Sequence, residues 1–183
     1  MKKGFTMIEL IFVIVILGIL ASVAIPRLAG TREDAEISTA IGNLRTLLSD
    51  AASYYAVKGN FKDAGGTNSA NWRDFTNVPL VGAAGSGATL GTAITDSTKA
   101  VNAAGSTGAT AFLAVGGANC IGLNIVEKSG DTPAYIEFTT NGATGVCSQV
   151  INKEPVKSFV NSTVPGVQNK KAMAISSNTS IYK

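Results

Sequence analysis

The sequence contains no histidine, and only two of its 183 residues are cysteines. Histidine and cysteine are the usual zinc ligands, and histidine is the commonest general base, so this composition argues against a zinc site or a histidine-based catalytic centre. The sequence also lacks a G-x-S-x-G elbow and a Walker loop. We therefore predict a protein that is not an enzyme and that binds no metal or cofactor.

Charge is scarce as well. Charged residues make up 15% of the chain, and the formal net charge is only +3. Proteins that bind nucleic acid directly need a concentrated basic surface, and the Lys170-Lys171 pair is too short to provide one. We expect no direct contact with nucleic acid.

The feature that the sequence has in abundance is an apolar run from Phe5 to Ile25, which contains one charged residue, Glu9. As a helix it would span roughly 31 Å, which matches a bilayer core of about 30 Å. Two basic residues, Lys2 and Lys3, precede the run. Positive charges stay on the cytoplasmic side, so we predict a membrane helix with a cytoplasmic N-terminus and an exported remainder.

Glu9 needs an explanation, because a carboxylate in lipid costs about 2.5 to 3.5 kcal/mol on insertion scales. No Lys or Arg lies between Lys3 and Arg27 to neutralise it. If the chain were cut after Gly4, Phe5 would carry a new α-amine. Between two staggered copies, Glu9 of one copy would then attract the Phe5 amine of the other by several kcal/mol at an effective dielectric near 20.

Two simpler interpretations compete for the same segment. In a secretory signal peptide, Lys2-Lys3 would be the basic region and Ser22-Val23-Ala24 the cleavage site. The apolar run is longer than the usual 7 to 15 residues or so of such a peptide, and Glu9 does not fit there. In a plain single-pass anchor, Glu9 would lie near the interface and reach water.

The combination of Lys3-Gly4-Phe5-Thr6-x-x-Glu9, an unbroken apolar run and Pro26 resembles the type IV pilins and the pseudopilins of type II secretion. The resemblance covers residues 1 to about 50, and its one small departure is Met7, where many members have Leu. It implies that a membrane aspartic peptidase removes the leader after Gly4 and methylates the new N-terminal Phe5. It also implies that Glu9 takes part in subunit addition.

The same resemblance implies a set of partners. These are a prepilin peptidase/methyltransferase, an assembly ATPase with its inner-membrane platform protein, and further copies of the chain itself. A connection with DNA would then be indirect, through filaments that serve DNA uptake.

Beyond the apolar run, the pattern becomes one-sided. Pro26 lacks an N–H, so it either kinks the helix or marks the end of the membrane segment, and the two interpretations are compatible. A stripe at helical spacing then predicts that the helix continues to about Val57; its members are Ile37, Ile41, Leu44, Leu48, Ala51 and Tyr55, with Leu47 and Tyr54 beside them. Gly59 is expected to end the helix.

The head should begin at residue 58. We predict a small core that includes Trp72, an irregular surface loop over residues 82–110, and short strands after it. The predicted strands are 111–115, 121–127, 134–140, 145–151, 156–160 and 172–176, with a hairpin at Asn141-Gly142 and an antiparallel meander over 121–151. The predicted fold class is α+β, with a long N-terminal helix packed on a small antiparallel sheet.

The two cysteines, Cys120 and Cys147, both lie in the part that we expect to be exported. Oxidising compartments permit disulfides, so we predict a bond between them that joins the edges of the meander; two unpaired buried thiols are the alternative.

Other polar features of the head indicate no site. We interpret the carboxylates Glu127, Asp131 and Glu137 as a solvated turn rather than a calcium site, because no ordered Asp-x-Asp run accompanies them. The acceptor patterns at Asn161 and Asn178 are too common by chance to predict glycosylation.

These observations give two functional hypotheses. The first is a structural subunit of a type IV filament, either a type IV pilus or a type II secretion pseudopilus. Its parts would be a leader (1–4), a transmembrane and assembly helix (5–26), an amphipathic continuation (27–57) and a head (58–183). It would move from the bacterial inner membrane to the periplasm or the cell surface. The second is a monomeric periplasmic binding module, tethered by its helix or released by cleavage after Ala24.

Overall fold

The computed structural model describes residues 4–62, 70–82, 93–94, 111–130, 132–141, 145–165, 167 and 170–175. The chain forms two compact units, Met1–Glu36 and Ile37–Lys183. Each unit is described by itself.

Helix α1, Met7–Lys58, is the longest element, with 52 residues, and it supplies the secondary structure of the first unit and one layer of the second. It confirms the long helix predicted from Phe5 to about Val57. The helix ends at Gly59, which has φ 72° and donates its N–H to the Tyr55 carbonyl at 2.8 Å. A left-handed residue after a helix is the usual place for glycine. Pro26 lies inside the helix, and a kink there stays a prediction.

In the second unit, one face of α1 is buried beneath a sheet. The fully buried positions are Ile37, Ala40, Leu44, Leu47 and Ala51. The predicted apolar stripe is present, but the buried face of the helix is rotated slightly from it. Three predicted members, Ile41, Leu48 and Tyr55, lie at the edge of the buried face and are only partly buried.

The sheet has four antiparallel strands in the order β1-β2-β3-β4. Their bounds are Ala111–Val115, Ala118–Val126, Tyr135–Thr140 and Ala172–Ala174. Alternate residues of β2, namely Ile121, Leu123 and Ile125, are fully buried in the same core cluster as α1. Side chains alternate across a sheet, so this is the face that packs on the helix. The α+β fold class is confirmed.

Two predicted strands are wrong, because residues 145–151 and 156–160 form helices. Helix α2 is Gly145–Asn152 and helix α3 is Val156–Val160. In α2 the buried residues Cys147 and Val150 are three apart, and in α3 Val156 and Val160 are four apart. That spacing is helical, whereas a strand would bury every second residue.

The meander consequently lies earlier in the chain than predicted. It runs through β1, β2 and β3, and the last strand beside β3 is β4 rather than residues 145–151. The predicted hairpin at Asn141-Gly142 is wrong, since the chain goes on into α2, although residues 142–144 lie outside the described part. The predicted edge strand at 172–176 is confirmed as β4.

The stretch between α1 and β1 contributes to the core where it is described. Trp72 is buried, as predicted, and so are Val78 and Leu80. Trp72–Asp74 forms a short 3-10 helix. Val81 exchanges backbone hydrogen bonds with Phe112 of β1. Most of the predicted loop, residues 83–92 and 95–110, lies outside the described residues.

Candidate processing and assembly segment

The predicted cleavage position lies just before α1. Gly4, Phe5 and Thr6 are not helical, and the Phe5 side chain is 91% exposed. The peptide bond between Gly4 and Phe5 therefore lies in a non-helical stretch beside an exposed side chain. Exposed, non-helical backbone of this kind is a preferred site of proteolytic cleavage.

Thr6 and Glu9 are joined by three hydrogen bonds at the start of α1. The Thr6 backbone N–H and the Thr6 hydroxyl both donate to Glu9 Oε2, each at 2.7 Å. The Glu9 N–H donates to Thr6 Oγ1 at 3.4 Å. This reciprocal arrangement is a capping box, in which the side chains at the first and fourth positions satisfy backbone donors that a helix start leaves unpaired.

The capping box gives Glu9 a local role that the sequence analysis missed. The signal was present as Thr6-x-x-Glu9 before an apolar run, which is the sequence pattern of a capping box. Only Oε2 takes part, and no hydrogen bond to Oε1 occurs among the described residues. One carboxylate oxygen thus remains open to a group from outside the chain.

The first half of α1 forms a continuous apolar surface. Every large apolar side chain between Phe5 and Leu28 is exposed, from 40% at Ile16 to 91% at Phe5. By length and composition, α1 is one described helix that is able to cross a membrane, and none of its most apolar 18-residue window is buried in the structure. Soluble monomers rarely expose apolar surface on this scale, so this half requires lipid or protein around it.

Cys120 and Cys147 are bonded to each other, with their Cα atoms 5.3 Å apart and both residues buried. The predicted pairing is present, but its place in the fold differs from the prediction. Cys120 lies in β2 and Cys147 lies in α2, so the disulfide joins the sheet to the helix that follows it rather than two edges of a meander.

The acidic residues near the turn after β2 have structural partners. Glu127 accepts a hydrogen bond from the Phe61 N–H, and Glu137 forms an ion pair with Lys170 at 3.0 Å. The prediction of a solvated turn is therefore wrong for Glu127, whose hydrogen bond to Phe61 holds the backbone just after α1 in place. Asp131 lies outside the described residues. Within the described part, no three His, Cys, Asp or Glu side chains gather in a way that would hold a metal ion.

Glu127 also affects a neighbouring tyrosine. Burial raises the pKa of Tyr55, and the negative charge of Glu127 raises it further. Both effects disfavour the phenolate, since one removes water and the other adds repulsion between like charges.

Comparisons with known proteins agree with this N-terminal geometry. The model of the prokaryotic N-terminal methylation motif matches residues 1–25. The type II secretion system core protein G of Dickeya chrysanthemi is 42% identical over 53 residues, which are 29% of this chain and 35% of the relative. The corresponding protein of Aeromonas hydrophila is 41% identical over 59 residues, 32% of this chain and 41% of the relative.

A pilin is similar over a stretch of comparable length. The type IV major pilin protein PilA of Myxococcus xanthus (strain DK1622) is 38% identical over 62 residues, 34% of this chain and 28% of the relative. The chain thus matches less than half the length of each of these relatives. No solved structure is significantly similar to this one. Over about a third of its length, the chain is therefore similar to type II secretion system core protein G and to a type IV pilin, and its first 25 residues carry the methylation motif.

Proposed function

We propose that this protein is a non-catalytic structural subunit of a type IV filament, either a type IV pilus or a type II secretion pseudopilus. The observation that carries the proposal is the apolar first half of α1, which is exposed along its whole length and lies largely within the residues that match the methylation motif, 1–25. A surface of that kind is stable in lipid, and it is equally stable in a bundle of identical helices. Polymerisation therefore gives the helix a second apolar environment when it leaves the membrane.

In this proposal the precursor is inserted in the inner membrane with Lys2 and Lys3 on the cytoplasmic side. The prepilin peptidase removes the leader, residues 1–4, and methylates Phe5. Residues 5–26 then serve as the membrane and assembly helix, residues 27–57 continue it, and residues 58–183 form the outer head.

Glu9 directs the addition of subunits. Its Oε2 is held by Thr6, while Oε1 is available to the methylated amine of Phe5 in a neighbouring copy. In an apolar environment, pairing these opposite charges offsets part of the desolvation penalty, and leaving either charge unpaired is strongly unfavourable. An assembly ATPase and a membrane platform protein would supply the work of extracting the subunit.

Mass spectrometry of the mature N-terminus tests the proposal. The chain is expressed with its prepilin peptidase, and the N-terminal peptide is identified from membrane and sheared fractions. We expect a peptide that begins at N-methylated Phe5, and we expect a chain with Gly4→Leu to keep its leader. A mature chain that begins at Ile25 would instead indicate signal-peptide cleavage and the monomeric periplasmic module.

Electron microscopy of the sheared fraction then distinguishes the two kinds of filament. Long filaments on cells at native expression indicate a pilus. Filaments that appear only on overexpression indicate a periplasmic pseudopilus.

A further inference from the structure

A groove of about 750 Å³ lies beside the second half of α1, between that helix, α3 and β4. Its sides are apolar, since Leu48, Phe159 and Met173 pack partly against the core and are not fully covered. Its base on α1 consists of small residues, Ser49, Ala52 and Ser53. We call these eight lining residues, which also include Arg45 and Pro155, the head groove.

The composition of the head groove is unusual for a solvent-facing helix surface. Such a surface normally carries many charges, but the head groove contains only one, Arg45. Among the described residues, Arg45 forms no ion pair. Small residues on a helix allow another helix to approach closely, so the base of the groove is suited to a helix.

A segment with a matching pattern occurs earlier in the same helix. Residues 17–22 read Leu-Gly-x-x-Ala-Ser, and residues 48–53 read Leu-Ser-x-x-Ala-Ser. In both segments the small residues are three and four positions apart, which places them on one helix face. Residues 17–22 are exposed and uncharged, and no atom lies within 4 Å of a Cβ built on Gly18. The Ser22 hydroxyl donates to the Ile19 carbonyl at 2.7 Å, so it presents no unpaired donor.

We infer that the head groove receives residues 17–22 of α1 from a second copy of the chain. The groove and this segment are both apolar, and no described residue covers either of them. The small residues of each allow the two helices to pack closely. The segment carries no charge that would have to be desolvated, and Arg45 can stay at the rim. The inference rests on the proposed function.

Cross-linking in assembled filaments tests the inference. The chain has no free cysteine in its described part, so we would introduce Ser22→Cys and Ser53→Cys together, express the chain with its assembly machinery, and oxidise sheared filaments mildly. A disulfide forms only when two Cβ atoms come within about 4.5 Å. We expect a ladder of covalent multimers on a non-reducing gel that collapses to monomer on reduction.

The matched control combines Ser22→Cys with Thr46→Cys, because Thr46 is exposed on α1 outside the head groove. We expect at least tenfold less multimer from this control and from each single variant. The inference would be overturned, and the proposed function left intact, by either of two results. One is filaments of normal yield whose Ser22→Cys, Ser53→Cys chains do not cross-link, and the other is an equal ladder of multimers from the control. A wild-type chain that forms no filaments would overturn both.

A steric variant gives a second, independent measurement. Ser53→Trp would fill the base of the head groove, whereas Thr46→Trp adds the same side chain outside it. We expect Ser53→Trp to reduce filament yield at least tenfold relative to Thr46→Trp, with unchanged processing at Phe5 and an unchanged melting temperature in detergent. Equal yields from the two variants would contradict the inference.

Discussion

The two halves of α1 belong to one helix, yet they differ in apolar content and meet different environments. Between Phe5 and Leu28 every large apolar side chain is exposed, whereas from Ile37 to Ala51 one face is almost completely buried beneath the sheet. The second half carries charged residues on its other side, so its own chain gives it a buried apolar face and an exposed polar face. The first half has no polar side. No residue that the structure describes covers it, and a cover from other copies of the chain is the physical basis of the polymerisation that we propose.

The largest effect should come from removing the one acidic residue in the exposed half. Glu9→Ala leaves the Phe5 amine of a neighbouring copy without its partner, so we expect filament yield to fall at least tenfold while cleavage after Gly4 continues. Quantitative blotting of sheared filaments measures the yield. Glu33→Ala is the matched control, since it removes an exposed acid from the same helix beyond the apolar run. Normal filament yield from Glu9→Ala would remove Glu9 from the mechanism.

The second prediction uses one substitution in both halves. Leu47 is fully buried, so Leu47→Ala should lower the free energy of unfolding of the head by about 2 to 5 kcal/mol. Leu17 is 58% exposed, and Leu17→Ala should leave that free energy unchanged. Thermal and denaturant unfolding of the full chain in detergent, followed by circular dichroism, measures both. A similar loss from both variants would contradict the division of α1 into an uncovered and a covered half.

The third prediction concerns the disulfide, which lies in the second unit, the one that contains the partly buried half of α1. Replacing both Cys120 and Cys147 by Ser should lower the free energy of unfolding by about 2 to 4 kcal/mol, because the unfolded chain is no longer cross-linked. Membrane insertion and processing at Phe5 should not change. Denaturant unfolding measures the loss, and wild-type protein treated with reductant should behave like the double variant. An unchanged unfolding midpoint in both samples would show that the bond does not restrain the head.

The smallest effect should be a pH dependence at the end of α1. Burial and Glu127 raise the pKa of Tyr55 in the folded head above its unfolded value of about 10. The folded state then holds this proton more tightly than the unfolded state. The associated stability is complete below pH 10 or so and is lost as the pH rises through the folded pKa.

Tyr55→Phe isolates this contribution. The melting temperature of the wild-type head should fall more steeply above pH 10 or so than that of Tyr55→Phe, and the two curves should run parallel below that pH. Circular dichroism melts between neutral and alkaline pH provide the test. Parallel curves throughout would mean that Tyr55 ionises without affecting the fold.

Much of the difference between the two halves of α1 is predictable from the sequence. The apolar run, the motif ending at Glu9 and the stripe from Ile37 are periodic or highly specific signals, and each is supported by the structure or by the matching family model. The sequence also carries the Thr6-x-x-Glu9 pattern of a capping box, a local role for Glu9 that the predicted intermolecular role does not include.

The errors lie in short elements of the head. Residues 145–151 and 156–160 are rich in β-branched residues, whose propensity favours strands, but their buried positions recur at helical spacing. In elements of five to eight residues, packing outweighs propensity. Glu127 was unpredictable for another reason, since its partner Phe61 is distant in sequence and only the fold brings them together.

The most direct test of the central claim is a cryo-electron microscopy map of sheared filaments made from the full-length chain and its processing peptidase. The account predicts a core built from residues 7–28 of many copies, with Phe5 of one chain beside Glu9 of another and the heads outside. A preparation that contains only monomers, with the exposed half of α1 in detergent or cleaved away at Ile25, would contradict it.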